Sequence, residues 1–276
     1  MKNSCMIKFQ IRVLMQTWNT LVVWILLLCA TIANFIHNCI SNTSMHFVSE
    51  MYDPVKMLTL SGWSTAGGIL MYAYPLVLVI PTAVHFYNER TTKVNIYLQS
   101  RCGFRVYYYG NAIAVVILTF LLFTLPFLSE LVLSLICSDK GAIRDPSGLQ
   151  YYSVLPETNK ILLFRIWLLS PPLYGVLMTI RFGLISSILS LFNYSIATSP
   201  RIKYKMLTML PLISLLYLLM IIDRFIPVKL TYILTIPMFE NTDVNELFWL
   251  VFLGVLLFFS IFILKINEKK YYSLQK

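Results

Sequence analysis

The chain has 276 residues, of which 58% are hydrophobic and only 12% charged, with a formal charge of +10. Soluble domains carry about a quarter charged residues, so the composition argues against a water-soluble globular enzyme and for lipid as the solvent. Five cysteines without a CxxC pair, and three widely separated histidines (His37, His46, His85), argue against a disulfide framework and a metal site; the thiols are expected to be small buried side chains.

Residues 6–15 alternate apolar and polar (Ile7, Lys8, Phe9, Gln10, Ile11, Arg12, Val13). Period 2 suggests a strand, but a lone strand has no sheet to join here. The segment therefore reads as an interfacial helix that turns its basic residues to lipid headgroups. The first long apolar stretch, residues 15–35, supplies the roughly 20 residues that a membrane crossing needs. Lys2, Lys8 and Arg12 precede it, and Leu26-Leu27-Leu28-Cys29 has the outline of a lipoprotein cleavage site. Leu28 is bulky where a small residue is wanted, so a retained helix is expected.

Five more such stretches follow, at 67–86, 112–135, 171–194, 206–222 and 247–264. Apolar runs without strand alternation must be helices, because lipid offers no partner to open backbone groups. Residues 161–196 are too long for one crossing and too short for two. They are read as a short interfacial piece, 161–169, ended by Pro171-Pro172, and then one span. Residues 225–239, interrupted by Pro227 and Pro237, are read as interfacial too. Prolines at 75, 81, 126 and 211 are expected to kink the spans, and Tyr107, Tyr108, Tyr109, Trp18, Trp63 and Trp249 to form aromatic belts.

Charge sets the orientation. Lys2, Lys8 and Arg12; Arg90, Lys93, Arg101 and Arg105; Arg201, Lys203 and Lys205; and Lys265, Lys269, Lys270 and Lys276 fall in alternate gaps, whose acids are Glu89 and Glu268 alone. The opposite gaps hold most of the other acids. Basic residues stay on the cytoplasmic side, so both termini are expected there. The positive charge is accounted for by topology and anionic lipid, without nucleic acid. The expected fold is an all-α membrane protein: one domain over 1–276, six transmembrane helices, and a short amphipathic helix between the second and third.

That helix lies in the basic loop after the second span. Glu89 and Arg90 stand where the chain leaves the membrane, and Thr91 is placed to cap a following helix. Val94, Tyr97 and Leu98 fall at i, i+3 and i+4, an apolar face, and Arg101 and Arg105 close the loop. Such a face suits either a partner's groove or lipid headgroups. The loop resembles that of ABC-2 type permeases, the membrane subunits of ATP-binding-cassette exporters. There an acidic-Arg pair, Thr or Gly, an apolar turn and a later arginine recur, matched here by Glu89, Arg90, Thr91, Leu98, Arg101 and Tyr108. Lys93 departs from the pattern, where glycine is common, as does Gly110-Asn111. The resemblance implies that Glu89, Arg90, Thr91, Val94, Tyr97, Leu98 and Arg101 form a coupling helix moved by a separate ATPase subunit. It also implies ATP and magnesium in that partner, a second permease copy or a related permease, and export of a hydrophobic or amphipathic substrate such as an antimicrobial peptide or drug, for export or self-immunity, across a bacterial plasma membrane.

The chain has no P-loop. The nearest run, Gly62 to Gly68, puts glycine where the phosphate-binding lysine must be, so ATP hydrolysis is expected in a separate subunit, and no catalytic residue or cofactor is assigned to this chain. Intramembrane charges are costly and mark function by default. Glu130 and Arg181 are placed at similar depth in spans three and four, where they read as a structural ion pair, as two interface-seeking side chains or as a substrate contact. The competing reading is an ATP-independent secondary transporter or channel, which calls for acidic residues near the middle of the membrane; only Glu130 lies within a span.

Overall fold

In the computed structural model, the described residues are 3–43, 47–48, 51–138, 162–200, 204–225 and 246–274, with 45, 142, 202, 234–235 and 238. Every regular element among them is a helix: α1 (Asn3–Met15), α2 (Trp18–Thr43), α3 (Thr65–Val79), α4 (Ala83–Thr91), α5 (Val94–Cys102), α6 (Phe104–Cys137), α7 (Phe164–Leu169), α8 (Pro171–Ala197), a 3₁₀ turn (Lys205–Thr208), α9 (Leu210–Ile222) and α10 (Glu246–Leu274).

Four helices, α2, α6, α8 and most of α10, are long and apolar enough to cross a membrane. Two are shorter. α3 has 15 residues and α9 has 13, about 20 Å each at 1.5 Å per residue, against a hydrocarbon core of about 30 Å. The stretch 67–86 is divided, because Pro81 separates α3 from α4. Pro75 and Pro126 lie inside helices. Pro211 sits in the first turn of α9, where its missing N–H costs nothing.

Before α3, chain that the sequence assigns to an outer loop is packed inside the protein. Val55, Leu58, Thr59, Leu60 and Ser61 are all buried. Buried irregular backbone needs partners for its polar groups. Leu60 O accepts from Met238 N (3.1 Å) and Gly62 N donates to Met238 O (2.9 Å), an isolated parallel bridge centred on Ser61 and Met238. Gly67 lets this segment in: a Cβ there would stand 2.6 Å from Thr59 O and 2.9 Å from Ser61 O. Most of 225–239 lies outside the described residues. Of the described ones, Leu234 and Met238 are wholly buried in the protein, while Phe225 is exposed. Of 161–169, residues 162–169 are described and contain α7, which ends at Ser170 before α8.

Small polar side chains are buried among the apolar ones of the core, and the outer surface is largely apolar. Along α2 the buried stripe is Thr20, Val23, Leu27, Thr31 and Asn34, while Ile25, Leu26, Ile32, Ile36 and Ile40 are exposed. Water would reverse this arrangement, whereas lipid favours it, because apolar side chains cost nothing there and small polar ones act between helices. The central pair is α6 against α8. Gly175, Thr179, Gly183 and Ser187, at every fourth position of α8, make a narrow strip on which α6 lies. A Cβ on Gly175 would be 2.9 Å from Leu131 Cδ1, and one on Gly183 only 2.1 Å from Thr124 Oγ1. Ser187 Oγ donates across to Val116 O (3.1 Å). Tyr74 of α3 joins this pair, its hydroxyl 2.9 Å from Ser186 Oγ and its ring against Phe123 and Phe182.

Two expectations are corrected here. Tyr107 and Tyr108 are fully buried and form no belt, whereas Trp18 and Trp63 are exposed; the side chain of Trp249 lies outside the description. The cysteines are not buried either: Cys5, Cys29 and Cys137 are exposed and Cys39 and Cys102 half-buried, all as free thiols.

Candidate functional site

At one end of the bundle the chain makes a projection. α4 carries it out of the core, α5 crosses, and α6 returns. The turn into α5 places Lys93 in the left-handed region (φ 58°), and the turn out uses Gly103 at φ 81°. Lys93 thus occupies a backbone conformation that suits glycine. Thr91 does not cap α5. It is the last residue of α4 and its hydroxyl donates back to Asn88 O (3.0 Å).

The foot of the projection is fixed by Glu89, which is 7% exposed. Its Oε1 accepts from Gln10 Nε2 of α1 (3.2 Å) and lies 3.3 Å from His85 Nε2, one turn back on α4. Its Oε2 accepts from Tyr107 Oη (2.5 Å) and Asn111 Nδ2 (3.1 Å) of α6. His85 Nε2 is also 3.2 Å from Gln10 Oε1. Burial alone would raise the Glu89 carboxyl. The hydrogen bond and charge of His85, with the hydrogen bonds of Tyr107 and Asn111, outweigh burial and hold it below its ordinary value. One carboxylate therefore ties three helices. Arg90 extends the tie to the end of α8 through Nη2 to Pro200 O (3.2 Å).

α5 itself has no buried residue. Val94, Ile96 and Tyr97 are 44%, 60% and 56% exposed, and the Arg101 guanidinium lies 4.4 Å from the centre of the Tyr97 ring. Leu98 instead packs inward against the cluster around Tyr107 and Tyr108. The face expected from Val94, Tyr97 and Leu98 is thus split, with Ile96 joining the exposed side.

The other basic segments reach the same end. Arg105 Nε bonds Glu268 Oε1 of α10 (2.7 Å), and Tyr109 donates to Glu268 Oε2 (2.8 Å). Asn267 Nδ2 donates to Ser195 O (2.8 Å) and Tyr271 to Thr198 O (3.0 Å), both near the end of α8. The four regions that the charge pattern places on one side of the membrane thus share one end of the bundle.

Glu130 lies toward the opposite end of α6, 2% exposed. Its Oε1 accepts from Asn34 Nδ2 (2.7 Å), Thr59 N (2.9 Å) and Thr59 Oγ1 (2.8 Å). Ser64 Oγ donates to Asn34 Oδ1 (3.0 Å). The hydrogen-bond partners of Glu130 are therefore neutral groups of α2 and the buried 55–61 segment. Arg181 is not among them; one of its Nη atoms approaches Met178 Sδ at 3.9 Å. A concavity of about 240 Å³ opens one turn further on, lined by Asn38, Cys39, Ser134 and Cys137 among others. Among the described residues, no three His, Cys, Asp or Glu side chains gather as metal ligands would.

The sequence reading located Glu89 and Glu130 but missed what holds each of them. His85 was legible as the i−4 neighbour of Glu89, and Asn34 as an amide inside an apolar run. Gln10, Asn111 and Thr59 carry no such local signal, since they meet the carboxylates only through tertiary packing. No protein-family model, curated protein or solved structure matches the chain.

Proposed function

We propose that this chain is the membrane-spanning permease subunit of an ATP-driven exporter, with α5 as the surface pushed by a separate nucleotide-hydrolysing subunit. The observation that carries the reading is the build of the projection: an exposed helix carrying the apolar side chains of Val94, Ile96 and Tyr97, on a foot fixed by a buried carboxylate. Val94, Ile96 and Tyr97 offer a partner about the contact that a short helix can give. Glu89 joins α4 rigidly to α1 and α6, so a push on α5 moves the helices together.

On this reading α3 with the start of α4, and α9 with the 3₁₀ turn before it, complete six crossings of the plasma membrane. Both termini and the α5 end face the cytoplasm. ATP and magnesium belong to the partner, and a second copy of this chain or a related permease completes the path. A hydrophobic or amphipathic substrate, such as an antimicrobial peptide or a drug, suits a bundle with little chain outside it. Glu130, a buried acid within a span, favours the second reading, a secondary transporter that works without nucleotide.

Purification of the tagged chain from its native membranes, with nucleotide hydrolysis measured on the purified material, separates the two. The proposal expects a co-purifying ATPase that Val94→Asp and Tyr97→Ala remove while the chain stays folded. Ion-driven transport by the chain alone, reconstituted without a partner, overturns it.

A further inference from the structure

α1 has two unlike faces. Met6, Gln10 and Leu14 are fully buried. Met6 packs so closely on α6 that a Cβ on Gly110 would stand 3.2 Å from its Cγ, and Gln10 is bonded to Glu89 and His85. The helix is therefore fixed in rotation. The face turned outward carries Lys8 and Arg12, both exposed, one helical turn apart. Among the described residues no carboxylate is paired with Lys8 or Arg12.

Between them the surface is hollowed. A groove of about 460 Å³ is lined by Lys8, Ile11, Arg12, Met15 and Gln16. Its lining joins two cations to apolar side chains on one helix face, with Met15 52% exposed. The position matters as much as the chemistry. α2, a helix able to cross the membrane, starts at Trp18, two residues after Gln16, and Trp18 is 76% exposed. The groove thus lies where a span meets the bilayer surface.

We propose that this groove binds an anionic phospholipid, with its phosphate between Lys8 and Arg12 and the first part of its acyl chain along Ile11 and Met15. Charge complementarity selects an anion, and the apolar wall beside the start of a span selects a lipid over a free anion. The proposal stands on the membrane reading alone and does not depend on a partner ATPase.

The test uses the full chain in neutral detergent, titrated with short-chain phosphatidylglycerol, short-chain phosphatidylcholine and inorganic phosphate, with binding read by tryptophan fluorescence and native mass spectrometry. The variants are Lys8→Gln/Arg12→Gln and a charge-matched control, Lys265→Gln/Lys269→Gln, which removes two exposed lysines from α10. Each basic residue near an anionic lipid surface contributes about fivefold, so loss of both is expected to weaken phosphatidylglycerol binding about 30-fold. The control should stay within about threefold of the parent, and phosphatidylcholine and phosphate should bind far more weakly. A double variant that unfolds at the parent's temperature and binds phosphatidylglycerol as tightly as the parent overturns the proposal. An equal loss in the control assigns the attraction to diffuse charge and overturns it too, and phosphate binding equal to that of the lipid overturns the lipid assignment.

Discussion

Gly183 lies where α6 and α8 come closest, and its replacement by alanine provides a stringent test of that packing. The new methyl would sit 2.1 Å from Thr124 Oγ1 and 3.2–3.3 Å from the Phe120 ring. The ring can retreat a few tenths of an ångström, but the hydroxyl is on a short β-branched side chain and cannot. Either the helices separate or Thr124 changes rotamer, and overpacking of this kind costs about 1–3 kcal/mol. At 1.4 kcal/mol per factor of ten, the folded fraction falls about 5- to 150-fold relative to the unfolded. Thr124 supplies its own control. Its hydroxyl is buried without a hydrogen-bond partner, so Thr124→Ala should be close to neutral. In combination with Gly183→Ala it should recover most of the loss, a coupling of about 1–2 kcal/mol in a double-mutant cycle. Equilibrium unfolding in mixed micelles, with the four proteins compared side by side, measures it. If Gly183→Ala is as stable as the parent, or if Thr124→Ala fails to restore it, the close approach of α6 and α8 is wrong.

Other outcomes follow from the two buried carboxylates and from the projection. Glu89→Gln should destabilise the chain by about 1–3 kcal/mol at neutral pH, because a charged acceptor is lost. Since the Glu89 carboxyl lies below its ordinary value of 4.5, that contribution is complete above about pH 5 and disappears as pH falls through the lower folded value. Thermal unfolding of parent and variant should therefore converge in acid, and a constant gap would refute the assignment. Glu130→Leu leaves Thr59 N without the acceptor it has in the parent and should cost about 2–4 kcal/mol, whereas Glu130→Gln, which keeps an acceptor oxygen, should cost less; equal losses would show that the hydrogen bonds are not what matters. Lys93→Gly removes left-handed strain worth about 1 kcal/mol and should raise the melting temperature by about 1–3 °C, while Lys93→Ala should not; a gain from alanine would place the effect elsewhere.

The helices were legible because lipid imposes a simple code. Long runs such as 112–135 and 171–194 are too apolar to be anything else, and α6 and α8 extend beyond them because helices cross the polar interface as well. The left-handed turn at Lys93 was not legible, because a lysine carries no signal for that backbone conformation. What the sequence hid was pairing between distant segments. Glu130 looked like half of an ion pair because Arg181 is the other charge at that depth, yet one carboxylate oxygen takes three donors from Asn34 and Thr59. The alternation in 6–15 was similarly ambiguous until Met6, Gln10 and Leu14 were seen to bury one side of α1. The few polar groups of residues 55–61 gave no sign that the segment would be buried against Glu130.

The bridge between Ser61 and Met238 imposes an order on biosynthesis. The backbone groups of Leu60 and Gly62 wait for a partner that emerges nearly 180 residues later, an interval of roughly ten to thirty seconds at bacterial or eukaryotic rates of elongation. Through that time the first half of the protein holds an open seam, so truncation before residue 238 should leave a chain that enters the bilayer but never closes, and quality-control proteases should find it there.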